Sequence, residues 1–170
     1  MKKRLCFAFS LLELLIVLLL LGVSLAIAMP VYSALKQQSE SASLRDQLHA
    51  SINHARLQAV LRQTSVALCA SPDGLTCRND WNQGWRIYLL NSPEQNLHIQ
   101  QIGAPSAAIR WAGFDKQLRF HSNGTSPTSN GRFFQCKGEK IAWQLVINRQ
   151  GRVRQASHIE NKTEAYRCQQ

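Results

Sequence analysis

The feature that most constrains this chain is an apolar run from Phe9 to Met29, close to the N-terminus. The run has 21 residues and is interrupted only by two serines, one glycine and Glu13. As a helix rising 1.5 Å per residue it would be roughly 32 Å long, about the thickness of the hydrocarbon core of a bilayer. Residues 2–4 are all basic, so the positive-inside rule predicts a cytoplasmic N-terminus and export of everything after the run.

Glu13 separates three interpretations of this run. A carboxylate in hydrocarbon costs about 2.5–3.5 kcal/mol on insertion scales, so its presence calls for a function. A plain single-span anchor leaves Glu13 unexplained. A secretory signal peptide accounts for Ala26-Ile27-Ala28, which resembles a cleavage site, but its apolar core normally has only about 7–15 residues. The third interpretation depends on the residues around Glu13.

The residues around Glu13 resemble those of a known family. The sequence from Phe9 to Val17, FSLLELLIV, is similar to the start of mature type IV pilins and of the pseudopilins of type II secretion. The resemblance implies that a prepilin peptidase cuts between Ala8 and Phe9 and that the new amine of Phe9 is methylated. It also implies that Glu13 serves assembly by meeting the Phe9 amine of a neighbouring subunit. Pro30, just past the run, matches the proline that bends this helix in the family.

An amphipathic helix is predicted after the apolar run. Apolar residues recur there at spacings of three and four, which lines one face of a helix that continues to about Arg62. These residues are Leu44, Leu48, Ile52, Ala55 and Ala59. We expect a β domain to pack on this face, because a coiled-coil seam would need longer and stricter heptads.

From Thr64 the pattern changes to the alternation typical of β-strands, with turn sequences between the segments. The alternating residues are Val66, Leu68 and Ala70; Trp85, Ile87 and Leu89; Leu97 and Ile99; Leu118 and Phe120; and Ile141, Trp143, Leu145 and Ile147. The predicted fold is therefore α+β, with a long N-terminal helix packed on a small antiparallel sheet or sandwich, as in type IV pilins. The predicted divisions are a leader at residues 1–8, a transmembrane and assembly helix at 9–29, an amphipathic continuation at 30–63 and a β-rich domain at 64–170.

Two motifs in the predicted β domain narrow the resemblance. Residues 81–85, WNQGW, lead into a strand, and residues 120–124, FHSNG, end one. With the N-terminal sequence they resemble minor pilins of the FimT and GspH kind rather than the abundant major pilins. Trp81 and Trp85 are expected to be core residues on either side of a turn. Residues 125–130 are predicted to form a flexible loop.

The cysteines predict disulfides. Cys6 lies in the predicted leader, which leaves an even set of four in an exported domain. We prefer Cys69 with Cys77, which closes a small loop, and Cys136 with Cys168, which fastens the C-terminal tail, among the three possible pairings. A zinc site is the rival interpretation, but the sequence has no CxxC pair and no clustered histidines. No metal or cofactor is therefore expected.

Positive charge is concentrated in the C-terminal third. Six basic and six acidic side chains balance between residues 9 and 109. Residues 110–170 hold eleven basic and four acidic side chains, which gives a net charge of +7. This asymmetry predicts an anionic partner such as nucleic acid, anionic lipid or a surface polymer.

The basic segment that carries most information is residues 147–154, INRQGRVR. Residues 148–151 interrupt the alternation and indicate the tip of a hairpin, where Gly151 can take a positive φ. Val153 would face the core, so Arg152 and Arg154 would share the solvent face, with Arg149 at the tip. Guanidinium groups about 6.5–7 Å apart suit neighbouring phosphates. Alternatively, these arginines lie on a strand face that is exposed to solvent and binds no partner. The cations that would extend this patch, if the Cys136–Cys168 disulfide brings the tail beside the hairpin, are Lys140, Lys162 and Arg167.

The same segment adds to the family resemblance. FimT-type minor pilins that serve natural transformation carry a Gly-Arg-x-Arg motif that is implicated in binding DNA, and residues 151–154 match it. The resemblance implies a subunit of the bacterial inner membrane, with a periplasmic globular domain, that joins other pilins in a filament and binds double-stranded DNA for uptake. The alternative is a minor pseudopilin of a type II secretion system that binds no DNA. No enzymatic activity is expected, because His121 and His158 have no Ser, Cys or Asp partner at a recognisable spacing.

Overall fold

The computed structural model describes residues 11–103 and 108–169. Within them a long helix, α1 (Leu11–Leu61), precedes eight strands, a short helix and a 3-10 helix. The strands are β1 (Val66–Ala70), β2 (Gly84–Leu89), β3 (Ser92–Gln101), β4 (Ile109–Gly113), β5 (Leu118–Phe120), β6 (Gly131–Lys137), β7 (Lys140–Ile147) and β8 (Val153–Gln155). The C-terminal elements are α2 (His158–Thr163) and the 3-10 helix (Ala165–Cys168). The chain divides into two compact units after Ser39.

The first unit is helical over its described residues. Glu13 lies in the first turn of α1, and Pro30 lies inside the helix. The apolar residues from Leu11 to Leu35 are exposed, and this part of α1 is long and apolar enough to cross a membrane. The predicted cut between Ala8 and Phe9 lies outside the described residues.

The second unit contains two four-stranded sheets and the C-terminal part of α1. One sheet has the strand order β3-β2-β1-β5 and the other β4-β6-β7-β8. All neighbouring strands are antiparallel. The predicted α+β fold is confirmed: a long helix packs on two small antiparallel sheets.

The predicted apolar face of α1 forms the centre of the core. All five of its predicted residues are buried, four of them completely. They share one cluster with Val66, Leu68, Trp85, Ile87, Leu118 and Phe120 of the first sheet and with Ile109, Phe133, Trp143, Leu145 and Ile147 of the second. Burying one such large apolar side chain contributes about 1.5–3 kcal/mol, so α1 holds the two sheets together.

Strands β1 and β2 are buried on both faces, although their alternation predicts one exposed face. Every residue of β1 is buried. Ala67 and Cys69, which point away from the main core, pack with Tyr88 of β2 in a second small cluster. Cys69 is also bonded to Cys77 of the following segment. Small and amphipathic residues on this second face produce an alternating sequence even though the face is covered.

Candidate nucleic-acid interface

The predicted hairpin tip is a tight turn between β7 and β8, and we call residues 148–152 the arginine turn. The amide of Asn148 donates to Arg152 O at 3.1 Å, and the amide of Gly151 donates to Asn148 O at 2.9 Å. The amide of Arg152 donates to Asn148 Oδ1 at 2.9 Å. Gly151 has a φ of 72°, a conformation that favours glycine. These bonds fix the backbone that carries Arg149 and Arg152.

A second segment holds the arginine turn from the side, and we call residues 121–130 the hydroxyl loop. The amide of Ser126 donates to Arg149 O at 2.9 Å. Gly151 lies so close to the loop that a Cβ added to it would be 2.2 Å from Gly124 O. On the other side of the loop, Arg56 Nε of α1 donates to the same Gly124 oxygen at 3.0 Å. The arginine turn, the hydroxyl loop and α1 are therefore joined through one carbonyl group.

The hydroxyl loop is also fastened from inside. Ser126 and Ser129 are completely buried, and their hydroxyls are 2.9 Å apart. Ser129 Oγ also accepts from the amide of Arg119 at 2.7 Å. Most of this loop was predicted to be flexible from its polar composition, but its buried serines attach it to β5.

Arg149 and Arg152 are exposed. Neither side chain forms an ion pair with any residue in the described ranges. Val153 between Arg152 and Arg154 packs partly buried against the core, as the alternation predicts. The arginine turn therefore presents two cations to solvent.

Arg154 differs from Arg152, because it is bound to a carboxylate. Its two terminal nitrogens donate to the two oxygens of Glu160 on α2, at 2.7 and 3.0 Å. The hydrogen bonds from Arg154 are the main reason that the pKa of Glu160 lies below its ordinary value. The same bonds raise the pKa of the Arg154 guanidinium. This neighbour was not expected from the sequence, which predicted two equivalent arginines.

Glu160 belongs to the C-terminal tail, residues 157–169, in which two acidic and two basic side chains balance. Ser157 caps α2 by accepting from the amide of Glu160 at 3.2 Å. Glu164 binds Arg132 of β6 at 3.1 Å and also Arg167. The hydrogen bond from Arg167 is the largest cause of a lowered pKa at Glu164. The two carboxylates of the tail therefore bind Arg132 and Arg154 of the second sheet and the tail's own Arg167.

Both disulfides join the cysteines that were preferred from the sequence. Cys69 is bonded to Cys77, with 5.6 Å between the Cα atoms. Cys136 at the end of β6 is bonded to Cys168, with 5.7 Å between the Cα atoms. The second disulfide attaches the tail to the sheet that carries the arginine turn.

The structure separates the remaining predicted cations. Lys162 is exposed on α2, and Arg167 is paired with Glu164 in the same tail. Lys140 begins β7 whereas the arginine turn follows its end, so roughly 24 Å of strand lies between them. The tail is close to the hairpin through the Arg154–Glu160 pair, but Lys140 is at the opposite end of the sheet and does not extend the arginine turn.

Two parts of this site were not identified from the sequence. The Ser-x-x-Glu spacing from Ser157 to Glu160 is the signature of a capping box and would have revealed α2 with its carboxylate. No sequence signature marks Arg56 as part of the site, because its contact with Gly124 joins residues 68 positions apart.

Comparison with known proteins agrees with this fold. The model of the family "Type II transport protein GspH" matches residues 45–151, more than half of the chain. No curated protein matches the chain.

Two crystal structures of the type IV minor pilin FimU of Pseudomonas aeruginosa PAO1 are similar to the chain. One has 24% sequence identity and a TM-score of 0.56, and the match covers 68% of this chain and 92% of the FimU chain. The other has 25% identity and a TM-score of 0.55, and the match covers 68% of this chain and 87% of the FimU chain. The chain therefore belongs to the GspH family and is a minor pilin or pseudopilin with the type IV pilin fold.

Proposed function

We propose that this chain is a minor type IV pilin that binds double-stranded DNA at the cell surface for uptake in natural transformation. The arginine turn is the observation that carries the proposal. It presents two exposed guanidinium groups, Arg149 and Arg152, on a backbone fixed by hydrogen bonds. A preformed cationic surface loses little conformational entropy when it binds a polyanion.

The expected contacts are with phosphates rather than with bases. Arginine fits phosphate oxygens with two parallel N–H groups, and such contacts position a duplex without reading its sequence. Binding should therefore tolerate any sequence. It should weaken steeply with salt, because each neutralised phosphate releases about 0.9 counterion.

The N-terminal segment supplies the rest of the proposal. A prepilin peptidase removes residues 1–8 by cutting between Ala8 and Phe9, and the new amine is methylated. Residues 9–29 then cross the inner membrane, residues 30–63 continue the helix, and residues 64–170 fold in the periplasm. During assembly Glu13 pairs with the Phe9 amine of a neighbouring pilin, and the filament carries the domain to the cell surface.

A minor pseudopilin of a type II secretion system is the second candidate function. Two observations favour it: the matching family is described as a type II transport protein, and Glu160 and Glu164 neutralise nearby arginines. In that role the globular domain would contact other pseudopilins and bind no DNA.

The decisive experiment is a titration of labelled duplex DNA against the full-length protein in an uncharged detergent. We expect salt-dependent binding that falls about tenfold or more when Arg149 and Arg152 are both changed to Ala, because two phosphate contacts are lost. The control is the double change of Lys137 and Lys140 to Ala, which removes the same charge from the turn at the far end of β7 and should have a much smaller effect. A wild-type protein without salt-dependent affinity for DNA would support the pseudopilin role instead.

A further inference from the structure

We propose that the DNA-contact surface extends from the arginine turn across the hydroxyl loop to Arg56 of α1, which supplies a third guanidinium to the phosphates. This inference rests on the proposed function. It states in which direction the contact surface extends and which further residues belong to it. Arg56 lies in the amphipathic helix, far from the basic C-terminal third in the sequence, and composition alone gives it no role.

The two sides of the arginine turn differ in whether they carry carboxylates. On the α2 side, Glu160 and Glu164 are already paired with arginines. On the other side, the chain from Leu118 to Gly131, which includes the hydroxyl loop, contains no Asp or Glu. On the α2 side a phosphate would have to compete with these carboxylates for their arginines, whereas residues 118–131 carry no carboxylate. A duplex in contact with Arg149 and Arg152 should therefore extend over the hydroxyl loop.

Arg56 borders that same side. Its Nε donates to Gly124 O at 3.0 Å, and Gly151 of the arginine turn is in close contact with the same oxygen. This is its one side-chain hydrogen bond to a described residue, whereas a guanidinium has five N–H donors in a planar fork. Arg56 is half-buried on a packed helix, so its position is fixed before the ligand arrives.

The hydroxyl loop, which contacts both Arg56 and the arginine turn, also carries exposed neutral donors. Asn123 and Thr128 are exposed. Asn123 Oδ1 accepts from the amide and the hydroxyl of Thr125, at 3.1 and 2.7 Å, so the carboxamide is held while its N–H groups remain donors. Asn and Thr side chains are common partners of phosphate oxygens. The composite surface therefore consists of Arg56, Asn123, Thr128, Arg149 and Arg152.

The test compares Arg56→Gln with Arg62→Gln in the full-length protein, with labelled duplex DNA as the probe. Both variants lose one positive charge, Arg56 within α1 and Arg62 directly after its end, but Arg62 Nε donates to Gln58 rather than to the hydroxyl loop. We expect Arg56→Gln to weaken binding about five- to tenfold at low salt and to lower the slope of log affinity against log salt by about 0.9, as one lost phosphate contact requires. Arg62→Gln should change affinity less than about twofold, because the screened effect of a distant charge is small.

Two further variants test whether Arg56 contacts DNA itself or only supports the arginine turn. Arg56→Lys keeps the charge and should retain the wild-type salt slope. The double change of Asn123 and Thr128 to Ala should weaken binding about two- to fivefold with an unchanged slope, because neutral donors release no counterions. Arg56 would be only a structural support if Arg56→Gln lowered affinity without changing the slope, and this result would overturn the inference.

The outcomes also separate this inference from the proposed function. If Arg56→Gln behaves like Arg62→Gln while the double change of Arg149 and Arg152 abolishes binding, Arg56 has no part in the surface but the proposed function stands. If the wild-type protein binds no DNA, the proposed function itself is wrong.

Discussion

Arg154 already binds an anion, the carboxylate of Glu160, through two hydrogen bonds. A phosphate that approached Arg154 would have to compete with that carboxylate, whereas one that approached Arg152 meets no such competitor among the described residues. Two arginines that are equivalent in the motif are therefore unequal in the folded protein.

This inequality predicts different effects of two single substitutions. Arg152→Ala should weaken duplex binding about five- to tenfold, the value of one phosphate contact, whereas Arg154→Ala should weaken it about twofold or less. Fluorescence anisotropy at one low salt concentration measures both. Equal losses would show that DNA displaces Glu160 from Arg154.

Glu160→Gln tests the same pair from its other side. Loss of the carboxylate frees Arg154, and an exposed pair of this kind is worth at most about 1 kcal/mol, so affinity for DNA should rise about two- to fivefold. Glu139→Gln is the matched control, because Glu139 is an exposed acid on the distant turn between β6 and β7. An equal rise in both variants would point to net charge alone.

Gly151 is the residue whose replacement should damage the turn most. Gly151→Ala should destabilise the domain by at least about 1–2 kcal/mol, the cost of a left-handed conformation for an L-residue, and the added Cβ would also meet Gly124 O at 2.2 Å. Gly138 has a φ of 60° with open space around it, so Gly138→Ala isolates the backbone cost. Thermal unfolding should show a lower Tm for Gly151→Ala than for Gly138→Ala. Equal Tm values would mean that the hydroxyl loop moves away from the added Cβ without loss of stability.

Among the elements, the C-terminal tail should remain docked in acid. The pKa values of Glu160 and Glu164 are both lowered, chiefly by hydrogen bonds from Arg154 and Arg167. A lowered folded-state pKa means that the stabilisation is present above the unfolded-state pKa and is lost only as the pH falls through the folded-state value. An NMR titration should therefore show tail resonances unchanged where free glutamate begins to protonate, with changes only at lower pH. Changes at the ordinary glutamate pKa would contradict these ion pairs.

The elements also differ in how far the sequence predicts them. The apolar face of α1 and most strands follow from periodicity, because the residues that face the main core are apolar and recur at the spacing of a helix or of a strand. The short helix α2 has six residues and no buried apolar face, so only its capping spacing marks it. The hydroxyl loop has the composition of a flexible segment, and its attachment depends on the burial of Ser126 and Ser129, a tertiary effect without a local signal.

At the scale of the whole molecule, the GspH family membership implies assembly with other pilin subunits in a filament. Glu13 lies in the first turn of α1 among exposed apolar residues. Glu13→Ala should leave membrane insertion and domain folding intact but prevent incorporation into filaments, because the neighbour's amine would lose its counter-charge. The measurement compares the protein in sheared filaments with that in membranes, with Glu40→Ala as the control acid on the same helix. Normal incorporation of the Glu13 variant would remove this role.

The candidate site combines residues that are close together in the sequence with residues that only the fold brings together. Arg149, Gly151 and Arg152 were identified from eight consecutive residues, because a hairpin is a local structure. Arg56 comes from the helix and Glu160 from the tail, and only the packing of α1 and the Cys136–Cys168 disulfide places them near the arginine turn. A sequence pattern cannot reveal neighbours that depend on the complete fold.

The Cys136–Cys168 disulfide also has a consequence for proteolysis of the domain. The two cysteines are 32 positions apart and enclose β7, the arginine turn, β8 and α2. A single peptide bond hydrolysed anywhere between them would leave both fragments covalently joined. A nicked subunit would migrate as one band on a non-reducing gel and as two after reduction, so one cleavage would not release the arginine turn from the rest of the chain.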